Sequence, residues 1–180
     1  MKRHNLISWF ACVFGLSVFA HAQATPTASR PGGLQVGAGV TIVAPDYTTS
    51  HDKGFTLYAT YDVSRHIGVE ADLHYVSVIT PGDVGEDTYL IGPRYVFHHK
   101  RFNPYAKALF GLGRINFQFD NRPHYSETTF AYALGGGLDY HLSRSINIRA
   151  FDYEYQQWPG FANHGLTPWA ITIGAAYNFH

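Results

Sequence analysis

The sequence predicts an all-β fold, an eight-stranded antiparallel up-and-down transmembrane β-barrel, and three observations predict it. Alternating apolar and polar stretches recur about every 18 residues, each near the length a tilted membrane strand needs. Aromatic residues fall near the ends of these stretches, with aliphatic residues between them. Charged residues make up 14 % of the chain, against roughly 25 % in soluble domains. Aromatics reach 16 % and glycines number 18, a composition that suits a barrel whose strands escape a hydropathy plot.

The N-terminus carries Lys2 and Arg3, an apolar run from Leu6 to Phe19, and the small-x-small triplet Ala20, His21, Ala22. This reads as a cleavable secretory signal over residues 1–22, cut after Ala22. The run is too short for a spanning helix, and no later segment approaches the roughly 18 to 20 apolar residues one requires. Cys12 is a poor lipidation site, because most of the apolar region follows it and Trp9, Phe10 and Ala11 precede it. Cleavage removes this only cysteine, so the mature chain has no disulfide, thiol nucleophile or thiolate ligand. Thirteen basic residues balance thirteen acidic ones, which leaves no electrostatic case for nucleic acid as a partner.

A lead-in over residues 23–33, rich in Pro, Ser and Gly from Pro26 on, precedes a barrel domain over residues 34–180. The first strand is expected from Leu34 to Ala44 and the second from Phe55 to Asp62, with Leu57 and Ala59 on one face. The third, Ile67 to Ile79, sets Val69, Ala71 and Leu73 against Glu70, Asp72 and His74. The fourth, Thr88 to Phe97, opposes Ile91 to Arg94, and Pro93 predicts a local distortion because it cannot donate a ladder hydrogen bond. The fifth, Tyr105 to Phe119, carries Lys107 on the polar face. The sixth, Thr128 to His141, sets Leu134 and Leu138 against Asp139, and the seventh, Ile146 to Gln156, carries Arg149. The eighth, Thr167 to Phe179, has Trp169, Ile171, Ile173, Ala175, Tyr177 and Phe179 on one face and is expected to close the barrel on the first.

Long connections (Asp46 to Gly54, Pro81 to Asp87, Asp120 to Glu127, Pro159 to Gly165) alternate with short ones (Ser64 to His66, His98 to Asn103, Ser143 to Ser145). Barrels of this kind place short turns and both termini on the periplasmic side. With strands drawn alternately up and down, Phe55, Tyr75, Tyr89, Phe119, Phe130, Tyr155 and Trp169 form a girdle at the loop end. Tyr61, Tyr95, Tyr105, Tyr140, Tyr177 and Phe179 form the girdle at the turn end.

Glu70, Asp72, His74, Arg94, Lys107, Asp139 and Arg149 share the opposite face, with signs interleaved. Buried charges persist when paired, so these predict an ion-pair network filling an interior only wide enough for side chains. Strict parity fails on two strands, and bulges near Gly113 and Phe151 are expected to bring Arg114, Asp152 and Glu154 inside, with Tyr153 and Tyr155 toward lipid.

The chain resembles the small eight-stranded outer-membrane β-barrel family, the OmpA-like and OmpX-like proteins. The resemblance covers the mature chain and rests on the signal, the eight strands, the run Pro104, Tyr105, Ala106, Lys107, Ala108 and the ending Tyr177, Asn178, Phe179. It implies an integral outer-membrane protein, in contact with membrane lipid and lipopolysaccharide, with a structural, adhesive or surface-protective role. It also implies recognition of the terminal strand by the barrel assembly machinery, from which His180 after the aromatic is a departure. A bare barrel without a peptidoglycan-binding domain is expected.

Chemistry is harder to find in the residues. His141, Leu142, Ser143 is similar to a motif of eight-stranded lipid A deacylases, but it lies in a short turn at the wrong end of the barrel. His98 and His99 are adjacent on an extended segment and point apart, and His51, His124 and His164 lack carboxylates or thiolates at ligand spacing. Gly135, Gly136 and Gly137 lie inside a strand with no helix to follow, which indicates close backbone approach rather than a phosphate cradle. Glu70 with Asp72 is read as interior charge rather than an acid/base pair. No catalytic residue, cofactor or metal is therefore expected, and the long loops are the candidate surface for an extracellular ligand. A lipid-modifying barrel enzyme and a soluble periplasmic lipocalin-like barrel, with the apolar face turned inward, are the alternatives.

Overall fold

The computed structural model describes residues 32–46, 51–76, 84–117, 125–161 and 165–179. The expected signal, most of the lead-in, Ile79, Phe119, His124, His164 and His180 lie outside the described residues. Period-two alternation produces eight strands: β1 (Leu34–Ala44), β2 (Asp52–Asp62), β3 (Ile67–Tyr75), β4 (Val84–Val96), β5 (Phe102–Phe117), β6 (Tyr125–His141), β7 (Ile146–Gln157) and β8 (Trp169–Phe179). They form a closed barrel in sequence order, all pairs antiparallel, and β8 returns to β1 through pairs such as Val36↔Tyr177 and Val40↔Ile173. Closure removes both sheet edges, which leaves no open row of backbone groups to face lipid.

Four strands start earlier than the side-chain pattern predicts: β2 at Asp52, β4 at Val84, β5 at Phe102 and β6 at Tyr125. Backbone pairing does not require apolar side chains, so the ladder runs on through polar pairs such as Asn116↔Ser126.

The bulge expected near Phe151 is present. Register shifts between Leu138 and Asp139 on one side of β7 and between Arg149 and Asp152 on the other. Ala150 and Phe151 both face outward, and Asp152, Glu154 and Gln156 return to the interior.

The bulge expected near Gly113 is absent. β5 keeps one register from Val84↔Phe117 to Arg94↔Lys107 on one side and from Phe102↔Tyr140 to Phe117↔Tyr125 on the other. Tyr105, Lys107, Leu109, Gly113 and Ile115 therefore share the inner face, and Arg114 points outward. The expectation required Leu112 and Ile115 to share the lipid face, but Ile115 belongs to an apolar cluster inside the barrel. At Pro93 the β4–β5 pairs stop at Ile91↔Phe110 and resume at Arg94↔Lys107 without a change of register. The missing N–H thus interrupts the ladder locally.

Apolar side chains cover the outside. Val40 is 63 % exposed, Leu134 60 % and Ile173 53 %, an arrangement that water would penalise and a bilayer rewards. A lipocalin-like barrel needs the opposite orientation.

Three glycines make room for interior aromatics, Gly37 among them beside the Tyr58 ring. A Cβ on Gly113 would lie 2.6 Å from the Trp158 ring, and one on Gly137 would lie 2.6 Å from the Tyr105 hydroxyl. Gly113→Val is expected to lower stability by about 1–3 kcal/mol through overpacking. Urea unfolding followed by tryptophan fluorescence checks this, and an unchanged midpoint would show that Trp158 does not occupy the space above β5.

Candidate functional site

The interior is layered from the turn end to the loop end. A polar vestibule of about 340 Å³ opens at the turn end, lined by side chains including Gln35, Asp62, Arg94, Asp139, Asn147 and Asn178. Above it lies the ion network, then a threonine layer, then an apolar cap.

Strand parity builds the network. β3 supplies Glu70 and Asp72, β4 Arg94, β5 Lys107, β6 Asp139 and β7 Arg149, with Asp152 and Glu154 past the bulge; all eight are buried. The Lys107 ammonium lies 2.9 Å from Glu70, 2.6 Å from Asp72, 2.5 Å from Asp152 and 2.6 Å from Glu154. Glu70 is the acceptor at the centre: its Oε2 takes hydrogen bonds from Arg94 and Arg149, both at 2.8 Å, and from the Thr60 hydroxyl at 3.0 Å. Arg94 also donates to Asp139 at 2.5 Å, and Arg149 to Asp152 at 3.0 Å.

Two interior aromatics complete the cage. The Arg149 guanidinium stacks 3.6 Å above the Tyr58 ring, and Arg94 lies 3.8 Å above the Tyr105 ring. Dispersed charge over a ring face offsets part of the desolvation cost of burying a guanidinium.

Tyr105 was expected in the turn-end girdle and is instead buried among these charges. It shares parity with Lys107 on a strand without a bulge, and that is the signal that could have found it. Arg114, expected inside, is exposed and its Nη2 donates to Ser126 Oγ at 3.4 Å. The other girdle residues keep to the outer face: Phe130, Tyr61, Tyr95, Tyr177 and Phe179 are exposed, and Phe55, Tyr75, Tyr89, Tyr140 and Trp169 are half-exposed. Phe55 stacks on Tyr75 at 5.1 Å, Tyr153 on Trp169 at 6.3 Å, and Phe102 lies 5.1 Å from Tyr140.

Above the ions, Thr41 bonds Thr56 and lies 2.8 Å from Thr172, and Thr56 reaches His74 Nδ1 at 2.9 Å. His74 Nε2 faces Glu154 at 3.3 Å. Among the described residues, two trios bring possible ligand atoms within 4.8 Å of one another: Asp72, His74 and Glu154, and Glu70, Asp72 and Asp152. Spacing along the chain does not reveal them, because the acids come from β3 and β7. The Lys107 ammonium already bonds carboxylates of both trios, and supplies a protein cation to them.

The cap is apolar and comes in part from a loop. Leu90, Leu109, Ile115, Ala131, Ala133, Trp158 and Leu166 form one buried cluster, with Val84, Phe117 and Phe161 against it. Trp158 continues the inward parity of Asp152, Glu154 and Gln156. Its backbone N–H donates to the Leu166 carbonyl at 2.8 Å, its indole N–H to Gln156 Oε1 at 3.3 Å, and Gly165 has φ +71. The residues flanking the expected outer loop, Trp158 and Leu166, thus close the barrel mouth. Asp46 fastens the neighbouring loops, accepting from both the Thr167 N–H and hydroxyl at 2.8 Å.

At the other rim, Ser143 is used by its turn: its Oγ accepts the Ile146 N–H at 3.1 Å. His98 sits between turns, with Nε2 at 2.5 Å from the Arg65 carbonyl and Nδ1 at 3.3 Å from Asn103 Oδ1.

Residues 10–179 match the family described as the outer membrane protein beta-barrel domain. The chain belongs to that family. Membership gives an outer-membrane β-barrel and an outer-membrane location. The fold is similar to the crystal structure of Neisserial surface protein A, at TM-score 0.62 and 16 % identity over 85 % of this chain and 100 % of that one. It is also similar to Ail, the attachment invasion locus protein of Yersinia pestis, at TM-score 0.55 and 20 % identity over 83 % and 99 %. OprG of Pseudomonas aeruginosa matches at TM-score 0.57 and 18 % identity over 83 % and 97 %. A search of curated proteins found no sequence match. At these identities the neighbours share a fold with this family member, and its interior ion cage rests on its own residues.

Proposed function

We propose that the protein is a non-enzymatic integral component of the outer membrane, with a structural, adhesive or surface-protective role and a sealed interior. The sealed interior is the observation that supports it: Glu70 and Arg149 have no measurable exposure, and Trp158 and Ile115 are 1 % exposed in the cap above. An eight-stranded barrel filled in this way leaves no aqueous path.

In this reading the short turns and both termini are periplasmic, the signal is removed at Ala22, and the barrel assembly machinery inserts the chain. Lipopolysaccharide surrounds the loop end, and any extracellular ligand meets the loops there. Ser143, the only hydroxyl in the deacylase-like run His141–Leu142–Ser143, is engaged by its own turn, which weighs against the lipid-modifying alternative.

Planar bilayers containing the purified protein are expected to show no stable large channel, and reproducible large steps would contradict the filled interior. Surface labelling of cysteines placed at Glu127 and at Lys100 in intact cells tests orientation. Label at the first alone supports the topology, and label at the second alone reverses it.

A further inference from the structure

Among the described residues, the turn-end rim of the barrel is basic. At the turn end, Arg65 lies in the β2–β3 turn, Lys100 and Arg101 in the β4–β5 turn and Arg144 in the β6–β7 turn, so each short turn presents an exposed cation. His66, His98, His99 and His141 stand among them, and Asp62 is the acidic residue of that rim outside the ion network among the described residues. At the loop end the described residues include Asp46, Asp52 and Glu127, with Glu86 and Asp87 buried, against Lys53 and Arg114. Among the described residues, the exposed cations of the short turns thus gather at one end of the barrel.

One of the cations and a neighbouring imidazole lie against interfacial rings. Arg101 Nη1 donates to the Tyr140 hydroxyl at 3.4 Å, and the His66 ring stacks on Tyr95 at 5.9 Å. Rings at the ends of membrane strands mark the headgroup level, and long basic side chains next to them reach into that layer. The cations are distributed around the rim, a spacing that suits a layer of headgroups better than one enclosed ligand.

We propose that this turn-end belt binds anionic phospholipid headgroups through their phosphates. The inference rests on the outer-membrane reading only in needing a bilayer around the barrel. It does not depend on which way the barrel faces, since the test uses bilayers with the same lipids in both leaflets.

The full mature protein is reconstituted in phosphatidylcholine vesicles, and spin-labelled phosphatidylglycerol and phosphatidylcholine are compared in the lipid shell next to the protein. The expected result is a preference for phosphatidylglycerol of about three- to tenfold, as clustered basic residues confer at a membrane surface. It falls toward unity in about 0.5 M NaCl and in the variant combining Arg65→Gln, Lys100→Gln, Arg101→Gln and Arg144→Gln. The loop-end variant Lys53→Gln with Arg114→Gln keeps the preference. Heat-dependent gel mobility confirms that each variant remains a folded barrel.

Equal association of the two lipids with the wild-type protein overturns the proposal, as does a preference that survives in the turn variant and disappears in the loop-end one. Co-sedimentation with peptidoglycan sacculi without lipid selectivity also overturns it, in favour of an anionic polymer. A wild-type protein that fails to float with the vesicles counts against the membrane-barrel reading itself, whereas flotation with equal lipid association removes the belt proposal alone.

Discussion

Lys107→Met is expected to lower the free energy of unfolding by about 3–5 kcal/mol, the cost of leaving buried charge without its partner. Lys107 is buried and its ammonium bonds Glu70, Asp72, Asp152 and Glu154. Methionine keeps most of the volume and removes the charge, so four carboxylates face one another with Arg94, Arg149 and the His74 ring as their remaining partners. Part of the loss returns when Asp152→Asn and Glu154→Gln are added, because the uncompensated anions then disappear. Urea titration of the vesicle-bound protein measures both steps. A wild-type midpoint for Lys107→Met, or no recovery in the triple variant, would show that the ammonium does not organise the interior.

Leu134→Arg has the second large effect. In a bilayer, an arginine in the lipid-facing band costs about 2–4 kcal/mol near the midplane. In water, substitution of a side chain 60 % exposed stays within about 0.5 kcal/mol. The same experiment thus separates a membrane barrel from a soluble one of identical topology. Folding yield into vesicles and the urea midpoint are the readouts, and a neutral result would sink the membrane reading of the outer face.

Much of the architecture was legible along the chain, for a local reason. Period two assigns a side chain to one face of a strand, so Val69, Ala71 and Leu73 separated from Glu70, Asp72 and His74 before any pairing was known. The bulge at Phe151 was legible in the same way, as a break in parity. Tyr105 and Arg114 were misplaced where aromatic or charged character was allowed to outweigh parity on the unbulged β5. Ile115 shows why: near the loop end the inner face is itself apolar, so hydrophobicity stops reporting which side faces lipid.

The sequence alone determined the strand count, the alternation of long and short connections, and the division between charged and apolar faces, because these follow from spacing between near neighbours. Tertiary structure decided which charges meet. The Lys107 ammonium joins acids from β3 and β7, and Arg94 and Arg149 stack on Tyr105 and Tyr58. Arg94 and Tyr105 lie on neighbouring strands, but the other contacts depend on barrel closure and on the register of strands not adjacent in the sheet. It also decided what Trp158 meets: parity along β7 turns it inward, but the space it fills is left open by Gly113 on β5, a strand that no period along β7 can report.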